Sequence, residues 1–302
     1  MSHRPRVMDV APWAAALLAF FVFPRHLQLG TQILVMVLFV LSIDLLLGYA
    51  GIISLGHAAF FGLGAYCAGI LSVRGIGDPL VGLAAAAVLS GLAGLLCGLV
   101  VLRTRGLTLL MLTLGILLML EEAANRAAWL TGGADGLQGM KVEPLLGVFG
   151  WDMFGRTGYL YSLAVALAGF VFVRTLVHSP FGRSLAGIRE NAVRMEVIGA
   201  PVRGRLVVAY GLSAMLAGAA GAVNAQAFQF VALNVFSFEL SGAALIMLIL
   251  GGAGRLYGAF IGAPLYMIAS DLFAKLDPVY WYFWLGILLI AVVMLRRRRA
   301  AS

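Results

Sequence analysis

Charged side chains are scarce in this chain. Only 11% of its 302 residues are Asp, Glu, Lys or Arg, while 62% are hydrophobic. Because soluble globular proteins carry about 25% charged residues, this composition excludes an ordinary water-soluble domain. Lysine is almost absent, with Lys141 and Lys275 as its only two copies. The mean hydropathy of +1.01 therefore predicts an all-α polytopic membrane protein.

Cysteine and the familiar catalytic motifs are scarce as well. Cys67 and Cys97 both lie in apolar stretches, so we interpret them as small buried residues and not as a disulfide or a metal pair. The sequence contains no GxSxG, no HExxH and no paired intramembrane aspartates, which argues against an intramembrane enzyme. Neither lysine follows a glycine, so the GxxxxGK[ST] phosphate-binding loop is absent too. We expect no metal, cofactor or ATP to be bound by this chain.

What the chain does have is a series of long apolar segments. A helix needs about 20 apolar residues to cross a membrane, and about ten segments are candidates by that rule. They lie near 11–29, 31–50, 54–73, 79–102, 106–124, 159–177, 206–229, 238–253, 256–274 and 280–295. Five precede and five follow a polar loop at 178–205, which predicts two five-span halves of inverted topology. Two segments, 54–73 and 238–253, are rich in glycine and are predicted to be broken or re-entrant.

The basic residues predict the orientation of these spans. Cytoplasmic loops carry an excess of Lys and Arg, so the tail Arg296–Arg299 places the C-terminus in the cytoplasm. One crossing per span then puts the N-terminus and the loop 178–205 inside, and the loop 126–158 outside in the periplasm. The outer side receives only six of the 21 basic residues, namely Arg25, Arg74, Arg126, Lys141, Arg156 and Lys275. The net charge of +8 is thus interpreted as this bias and not as a nucleic-acid surface.

The most polar segment between the apolar halves reads SPFGRSLAGIRENAVRMEVIGAPV (179–202). Its charges cannot lie in lipid without a large cost, so the segment must face water. A short, compact and charged element on the cytoplasmic side predicts contact with a cytoplasmic partner. Charge that only sets the topology is the alternative interpretation.

Six segments of the chain, in order, resemble the permease subunit of branched-chain amino-acid ABC importers, the LivM type. They are DLLLGYAGIISLGHAAFFGLGAY (44–66), LRTRGLTLLMLTLG (102–115), LTGGADGLQG (130–139), SPFGRSLAGIRENAVRMEVIGAPV (179–202), SAMLAGAAGAV (213–223) and LGGAGRLYGAFIGA (250–263). The resemblance implies a single permease domain over 1–302 in a bacterial inner membrane. It also implies three kinds of partner: a paralogous permease, two cytoplasmic ATPases that bind ATP and Mg, and a periplasmic binding protein. The cargo is less specific, because similar importers carry urea, short amides, and aromatic or other carboxylic acids.

The resemblance also implies which residues couple transport to the ATPases. The family's coupling segment maps to Gly187–Gly199 and is expected to form a short helix that docks in a groove on the ATPase. The coupling residues would be Arg183, Gly187, Arg189, Glu190, Asn191, Arg194 and Gly199.

Polar groups inside apolar segments are costly and suggest a functional site. A half-helix N-terminus near Ser54–Gly56 is expected to face the carboxylate of an amino acid. The candidate pathway residues are Asp44, Ser54, Gly56, His57, Gly62 and Thr113. For Asp44 a structural hydrogen bond and a pathway role stay open, and His57 is favoured as a structural histidine that caps a broken helix. A self-contained secondary carrier, with Asp44 or His57 handling a coupling ion, is the alternative of a different class.

Glycine is abundant, with 38 copies, and in membrane proteins small residues let helices approach closely. Small residues at three- and four-residue spacing in AGAAGAVNA (217–225) predict a tight helix seam. The stretch LGGAGRLYGAFIGA is denser and predicts a helix break. The residues expected to serve packing are Gly218, Gly221, Gly251, Gly252 and Gly254.

Overall fold

The computed structural model describes residues 7–24, 26–152 and 154–301. Helices dominate this part of the chain, in the order α1 (Val7–Val22), α2 (Leu27–Asp44), α3 (His57–Val73), α4 (Pro79–Val101), α5 (Leu107–Arg126), α6 (Ala128–Thr131), α7 (Arg156–His178), α8 (Pro180–Glu190), α9 (Ala192–Val197), α10 (Val202–Phe228), α11 (Phe238–Gly251), α12 (Gly258–Leu276) and α13 (Trp281–Ala301). A π-helical turn, Leu45–Ala50, extends α2. The predicted inner residues Arg4 and Arg6 and the predicted outer residue Arg25 lie outside the described residues.

Six helices in the described ranges are long and apolar enough to cross a membrane. They are α2 with its π-helical turn, α4, α5, α7, α10 and α12. Four further apolar helices are shorter: Pro12–Val22 of α1, α3, α11 and Trp281–Ile290 of α13. The chain is thus a multi-pass, helical membrane protein. Ten crossings and a cytoplasmic location of both termini stay predictions.

The connections between helices collect at two opposite ends of the molecule. At one end, Leu137 N donates to Val231 O at 2.7 Å and Glu143 N donates to Gly77 O at 2.9 Å, which joins three connections. At the other end, residues 50–53, 102–106 and 188–196 line one cavity. We call these the outer end and the inner end, following the predicted orientation. The loop 126–158 belongs to the outer end and the segment 178–205 to the inner end.

Helix boundaries differ from the predicted segments near Pro24 and at the two glycine-rich breaks. The segment near 11–29 is interrupted, because α1 ends at Val22 and α2 begins at Leu27. Pro24 accounts for this, since proline has no N–H and disfavours helical geometry in the residue before it. The glycine-rich breaks lie beside the helices α3 and α11, at 51–56 and 252–257, and not within them. Gly51 (φ +72°) and Gly252 (φ +101°) supply the left-handed geometry that ends each preceding helix.

Helix α10 is the centre of the fold and packs against α2, α3 and α4. The close approach depends on glycine. A Cβ atom at Gly218 would overlap the side chain of Ser90, and one at Gly221 would overlap the carbonyl group of Phe61. Because the helix backbones touch here, this seam fixes how the surrounding helices are placed.

Candidate functional site

Three separate chain segments meet at the inner end in a cluster that we call the inner junction: Asp44, Gly48, Arg189 and Gly254. Arg189 of α8 donates a hydrogen bond through Nη1 to the carbonyl oxygen of Gly48 in the π-helical turn. Asp44 Oδ1 accepts a hydrogen bond from the backbone N–H of Gly254 at 2.7 Å. Helix α8 is therefore bonded to the π-helical turn, and α2, which leads into that turn, is bonded to the break at 252–257.

Glycine is required on both sides of the inner junction. A Cβ atom on Gly48 would overlap the Asp44 carboxylate and the backbone of Gly254. Gly254 itself has φ +77°, and a Cβ atom there would lie 3.1 Å from Nη1 of Arg189. The absence of side chains thus lets the two breaks and the guanidinium group approach each other.

The charges in the inner junction are unevenly exposed. Asp44 is 1% exposed, and its Oδ2 has no hydrogen-bond partner among the described residues. The positive guanidinium group of Arg189, which is exposed along part of its length, attracts this buried carboxylate. A buried carboxylate with one free oxygen is costly, so removal of Arg189 would leave it with less compensation.

The N-terminus of α3 is buried, and hydroxyl groups of other helices accept its backbone hydrogen bonds. Leu55 N donates to Thr113 Oγ1 of α5 at 3.3 Å, and Ala58 N donates to Ser241 Oγ of α11 at 2.9 Å. The structure thus brings this N-terminus, which was expected to face a carboxylate, into contact with hydroxyl groups. Those contacts hold α3 against α5 and α11.

His57 links three helices through a short hydrogen-bonded chain. Ser213 Oγ of α10 donates to Ser42 O of α2 at 2.5 Å, and His57 Nε2 lies 2.8 Å from the same hydroxyl. Since the Ser213 proton is engaged, Nε2 is the donor to Ser213, and Nδ1 has no partner among the described residues. The contacts of His57 are those of a side chain that fixes helix packing.

The six predicted pathway residues do not form one site. Ser54, Gly56, His57 and Thr113 lie together at the start of α3, whereas Asp44 belongs to the inner junction. Gly62 lies apart from both groups, against the ring of Phe236. All six are buried within the chain, and none lines any of the cavities described here.

The segment expected to form one short coupling helix contains two helices, α8 and α9. Ser179 caps α8 by accepting from Gly182 N at 3.3 Å. Asn191 has extended backbone and caps α9 by accepting from Arg194 N at 2.9 Å. Met195 of α9 contacts α8 at Gly187, where a Cβ atom would lie 3.0 Å from its sulfur. The two caps therefore set the bend, and the glycine allows the helices to pack closely.

The α8–α9 pair buries one face and exposes another. Leu185 and Ile188 are buried against the membrane helices. Val193, Val197 and Ile198 are exposed by 62%, 82% and 70%. The remaining predicted coupling residues are exposed as well: Arg183, Arg189, Glu190, Asn191, Arg194 and Gly199. This surface combines apolar and charged groups in the way that a protein-binding surface does.

The inner junction borders a cavity of about 580 Å³ at the inner end. Its basic lining residues are Arg103, Arg105, Arg189 and Arg203, with Glu196 as the acidic one. Among the described residues, no group of three or more His, Cys, Asp or Glu side chains could hold a metal ion. The arrangement suits mechanical contact between segments and the binding of anionic groups.

The predicted pathway residues do not include a second set of polar residues, at the outer end. Gln32, Asn224 and Asn234 line a cavity there. Asn224 follows the glycine seam of α10, and Gln32 is an amide within an apolar segment, so both carried a signal. Asn234 lies in a 3₁₀ turn, Leu233–Phe236, and no pattern in the sequence marks it.

Comparison with known proteins bears on all of these surfaces. The model of a family described as "Branched-chain amino acid transport system / permease component" matches residues 26–293. This range includes the inner junction, the α8–α9 pair and the amides at the outer end.

Individual relatives carry two different descriptions. The high-affinity branched-chain amino acid transport system permease protein LivM of Escherichia coli (strain K12) is 29% identical over 92% of this chain and 70% of its own length. LivM of Salmonella typhimurium gives the same values. The autoinducer 2 import system permease protein LsrC of E. coli O157:H7 is 28% identical over 92% of this chain and 84% of its own length. No solved structure is significantly similar to the chain.

Proposed function

The chain belongs to the family of branched-chain amino acid transport system permease components, and from that premise we propose that it forms part of the translocation path of an ATP-driven importer in a bacterial inner membrane. The proposed cargo is a branched-chain or other hydrophobic amino acid. A periplasmic binding protein would deliver this cargo. A paralogous permease would complete the path, and two cytoplasmic ATPases would drive it.

The inner junction is the observation that carries this proposal. Arg189 belongs to α8, whose partner helix α9 exposes the apolar side chains that an ATPase groove would cover. The same Arg189 is bonded to the Gly48 carbonyl, and Asp44 is bonded to Gly254. A displacement of α8 by an ATPase would therefore move the ends of α2 and α11, the two helices that end in breaks.

Rigid packing makes this transmission effective. Leu185 and Ile188 anchor the buried face of α8, so α8 moves together with the membrane helices beside it. Coupling between sites requires a contiguous element whose arrangement changes between two states. The two glycine breaks, with left-handed backbone at Gly51, Gly252 and Gly254, are the places where such a change costs least.

The names of the relatives suggest more than one cargo for this chain. The names of the LivM proteins support branched-chain amino acids for this chain. The LsrC relatives favour a second candidate cargo, autoinducer 2, carried by the same type of importer. Urea, short amides, and aromatic or other carboxylic acids remain cargoes of the wider alternative. An ion-coupled secondary carrier is the alternative of a different class.

One reconstitution experiment distinguishes an ATP-driven importer from an ion-coupled secondary carrier. The tagged chain is purified in mild detergent from membranes of its native host, and the proteins that accompany it are identified by mass spectrometry. The complex is then placed in liposomes, and uptake of radiolabelled leucine is measured with the binding protein, with and without ATP. We expect two ATPases and a second permease to copurify and uptake to require ATP. The control is the chain reconstituted alone under a proton or sodium gradient.

Either of two results would overturn the proposal. Uptake by the chain alone, driven by an ion gradient, would identify a secondary carrier. An ATP-dependent complex that carries autoinducer 2 or urea and not leucine would keep the importer and reject the amino-acid cargo.

A further inference from the structure

The outer end of the chain contains a cavity of about 320 Å³ that we call the outer cavity; its polar lining side chains are Gln32, Asn224 and Asn234. We propose that the outer cavity binds a small solute without net charge, either a zwitterionic amino acid or an uncharged polar molecule, where it arrives on the outer side of the path. This inference rests on the proposed transport function and names the side chains that receive its cargo.

The amide groups of the outer cavity are free to bind a solute. Gln32 and Asn234 are exposed, and Asn224 is half-buried. None of the three side-chain amides makes a hydrogen bond within the described residues. A polar group in an apolar helix carries a free-energy cost unless water or a ligand satisfies it.

Gln226, two residues from Asn224 on α10, shows the opposite arrangement. It is 2% exposed, accepts a hydrogen bond from Tyr161 Oη at 2.7 Å, and donates to Pro79 O at 2.9 Å. The same helix thus carries one amide that is committed to packing and one that is left open. Packing therefore explains Gln226 and does not explain Asn224.

The chemistry of the lining defines the class of solute. No charged side chain lines the outer cavity. Each amide offers a carbonyl acceptor and an N–H donor, so the set can meet both the ammonium and the carboxylate group of an amino acid, or the hydroxyl groups of a neutral molecule. An ion with net charge would lose its hydration without finding a counter-charge, which is unfavourable.

Aromatic rings supply the apolar part of the lining. Phe61, Phe228 and Phe230 contribute to the wall of the outer cavity, and Phe230 is 46% exposed. Such rings can bury a branched aliphatic side chain while the amides hold its polar groups. A volume of about 320 Å³ lies at the lower end of the range of about 300–1,000 Å³ for small-molecule sites.

The position of the outer cavity agrees with delivery from the outer side. Its walls come from α2, α3, α10 and α11, together with the connection 229–237. That connection also accepts the hydrogen bond from Leu137 of the outer loop, through Val231 O. A solute released at the outer end would therefore meet the amides near the outer ends of α2 and α10.

The test uses the complete importer in liposomes, with its paired permease, its ATPases and its binding protein. ATP-driven uptake is measured for leucine as a zwitterion, urea as an uncharged solute, and benzoate as an anion. The main variant combines Gln32→Ala with Asn224→Ala, and Asn234→Trp separately fills the cavity from a surface turn. Asn125→Ala is the matched control, because Asn125 is an exposed amide near the outer end of α5 that does not line the cavity.

We expect the double variant to lower uptake of the transported solute by about tenfold, since each lost hydrogen bond contributes a factor of roughly three. ATP hydrolysis stimulated by the binding protein should persist, so that fewer solute molecules enter for each ATP consumed. Asn234→Trp should reduce uptake in the same direction, and Asn125→Ala should leave it unchanged. If the double variant does not assemble, the Asn234→Trp variant alone tests the outer cavity. Asn234 is exposed, so we expect this substitution to leave folding intact.

Two results would overturn the inference, and both differ from failure of the proposed function. Leucine uptake that is unchanged in the double variant and in Asn234→Trp would reject the outer cavity while leaving the importer intact. A wild-type importer that carries only benzoate would reject the class of solute. In contrast, uptake by the wild-type complex that does not depend on ATP would count against the proposed function. Solute uptake by the same variants would then be measured under an ion gradient, so that the outer cavity is still tested.

Discussion

The inner junction and the outer cavity use polar groups in opposite ways. At the inner junction, Arg189 and Asp44 bond to backbone groups of other segments, so the polar groups hold the protein together. In the outer cavity the amides of Gln32, Asn224 and Asn234 bond to nothing within the described residues and face open space. The difference teaches that a polar residue in an apolar helix is informative only when its partners are known.

The comparison also separates two tasks of the proposed importer. A segment that transmits movement needs bonds between moving parts, whereas a segment that receives a solute needs unused bonding capacity. Variants at the inner junction should therefore impair coupling for every solute. Variants in the outer cavity should impair uptake of the transported solute while ATP hydrolysis continues.

The largest effect is expected from charge reversal at the inner junction. Arg189→Glu places a second negative charge near buried Asp44 and removes the hydrogen bond to Gly48, so ATP-driven uptake should fall by about 100-fold, because a buried charge left without compensation costs a few kcal/mol. The measurement is uptake by the reconstituted complex. Arg205→Ala serves as control, because Arg205 lies on the same end outside the junction. Wild-type uptake in Arg189→Glu would show that the junction transmits nothing.

A smaller effect is expected when a single carbon atom is added at Gly48 in the inner junction. Gly48→Ala forces a Cβ atom into the Asp44 carboxylate and the Gly254 backbone, so overpacking should lower the free energy of unfolding by about 1–3 kcal/mol. The change would be measured as a lower Tm in detergent. Gly115→Ala is the matched variant, since a Cβ atom at Gly115 meets nothing within 4 Å. Equal Tm values for the two variants would contradict the tight packing of the junction.

A third prediction tests the surface that α9 presents at the inner end. Val197 is 82% exposed, and Val197→Asp should reduce copurification of the ATPases by about tenfold, because apolar anchors contribute more than 1 kcal/mol in an interface. The control is Val148→Asp, which changes a valine that is 78% exposed at the outer end. ATPase yields that respond equally to both variants would remove α9 from the contact.

The smallest effect distinguishes an importer from an ion-coupled carrier. Asp44→Asn keeps an oxygen that can accept from Gly254 N–H and removes the negative charge, so ATP-driven uptake should stay within about threefold of wild type, the scale of one hydrogen bond. A carrier that moves its coupling ion on Asp44 would lose transport completely. Uptake is compared with that of Asp44→Ala, which also leaves the Gly254 N–H without its acceptor.

Particular residues show which features of the structure could be predicted from the sequence. The apolar segments, the glycine breaks and the polar element between the halves follow from local composition. The helices α2 to α5, α7 and α10 to α13 lie close to the predicted apolar segments. The bend at Asn191 was not predicted, because an asparagine within a polar segment does not by itself indicate the extended backbone with which Asn191 caps α9. The contacts of His57 with Ser213 and of Thr113 with Leu55 were not predictable either, because each joins segments that are far apart in the sequence.

By itself, the sequence determined that this chain is a multi-pass helical membrane protein with a charged element between two apolar halves, because hydropathy and arginine distribution are local properties. It also carried the motifs by which the family is recognised. Only the tertiary structure decided which polar groups are satisfied and which are open. The bond from Arg189 to Gly48 spans 141 residues and the bond from Gly254 to Asp44 spans 210, and no local pattern encodes a contact that depends on how distant helices pack.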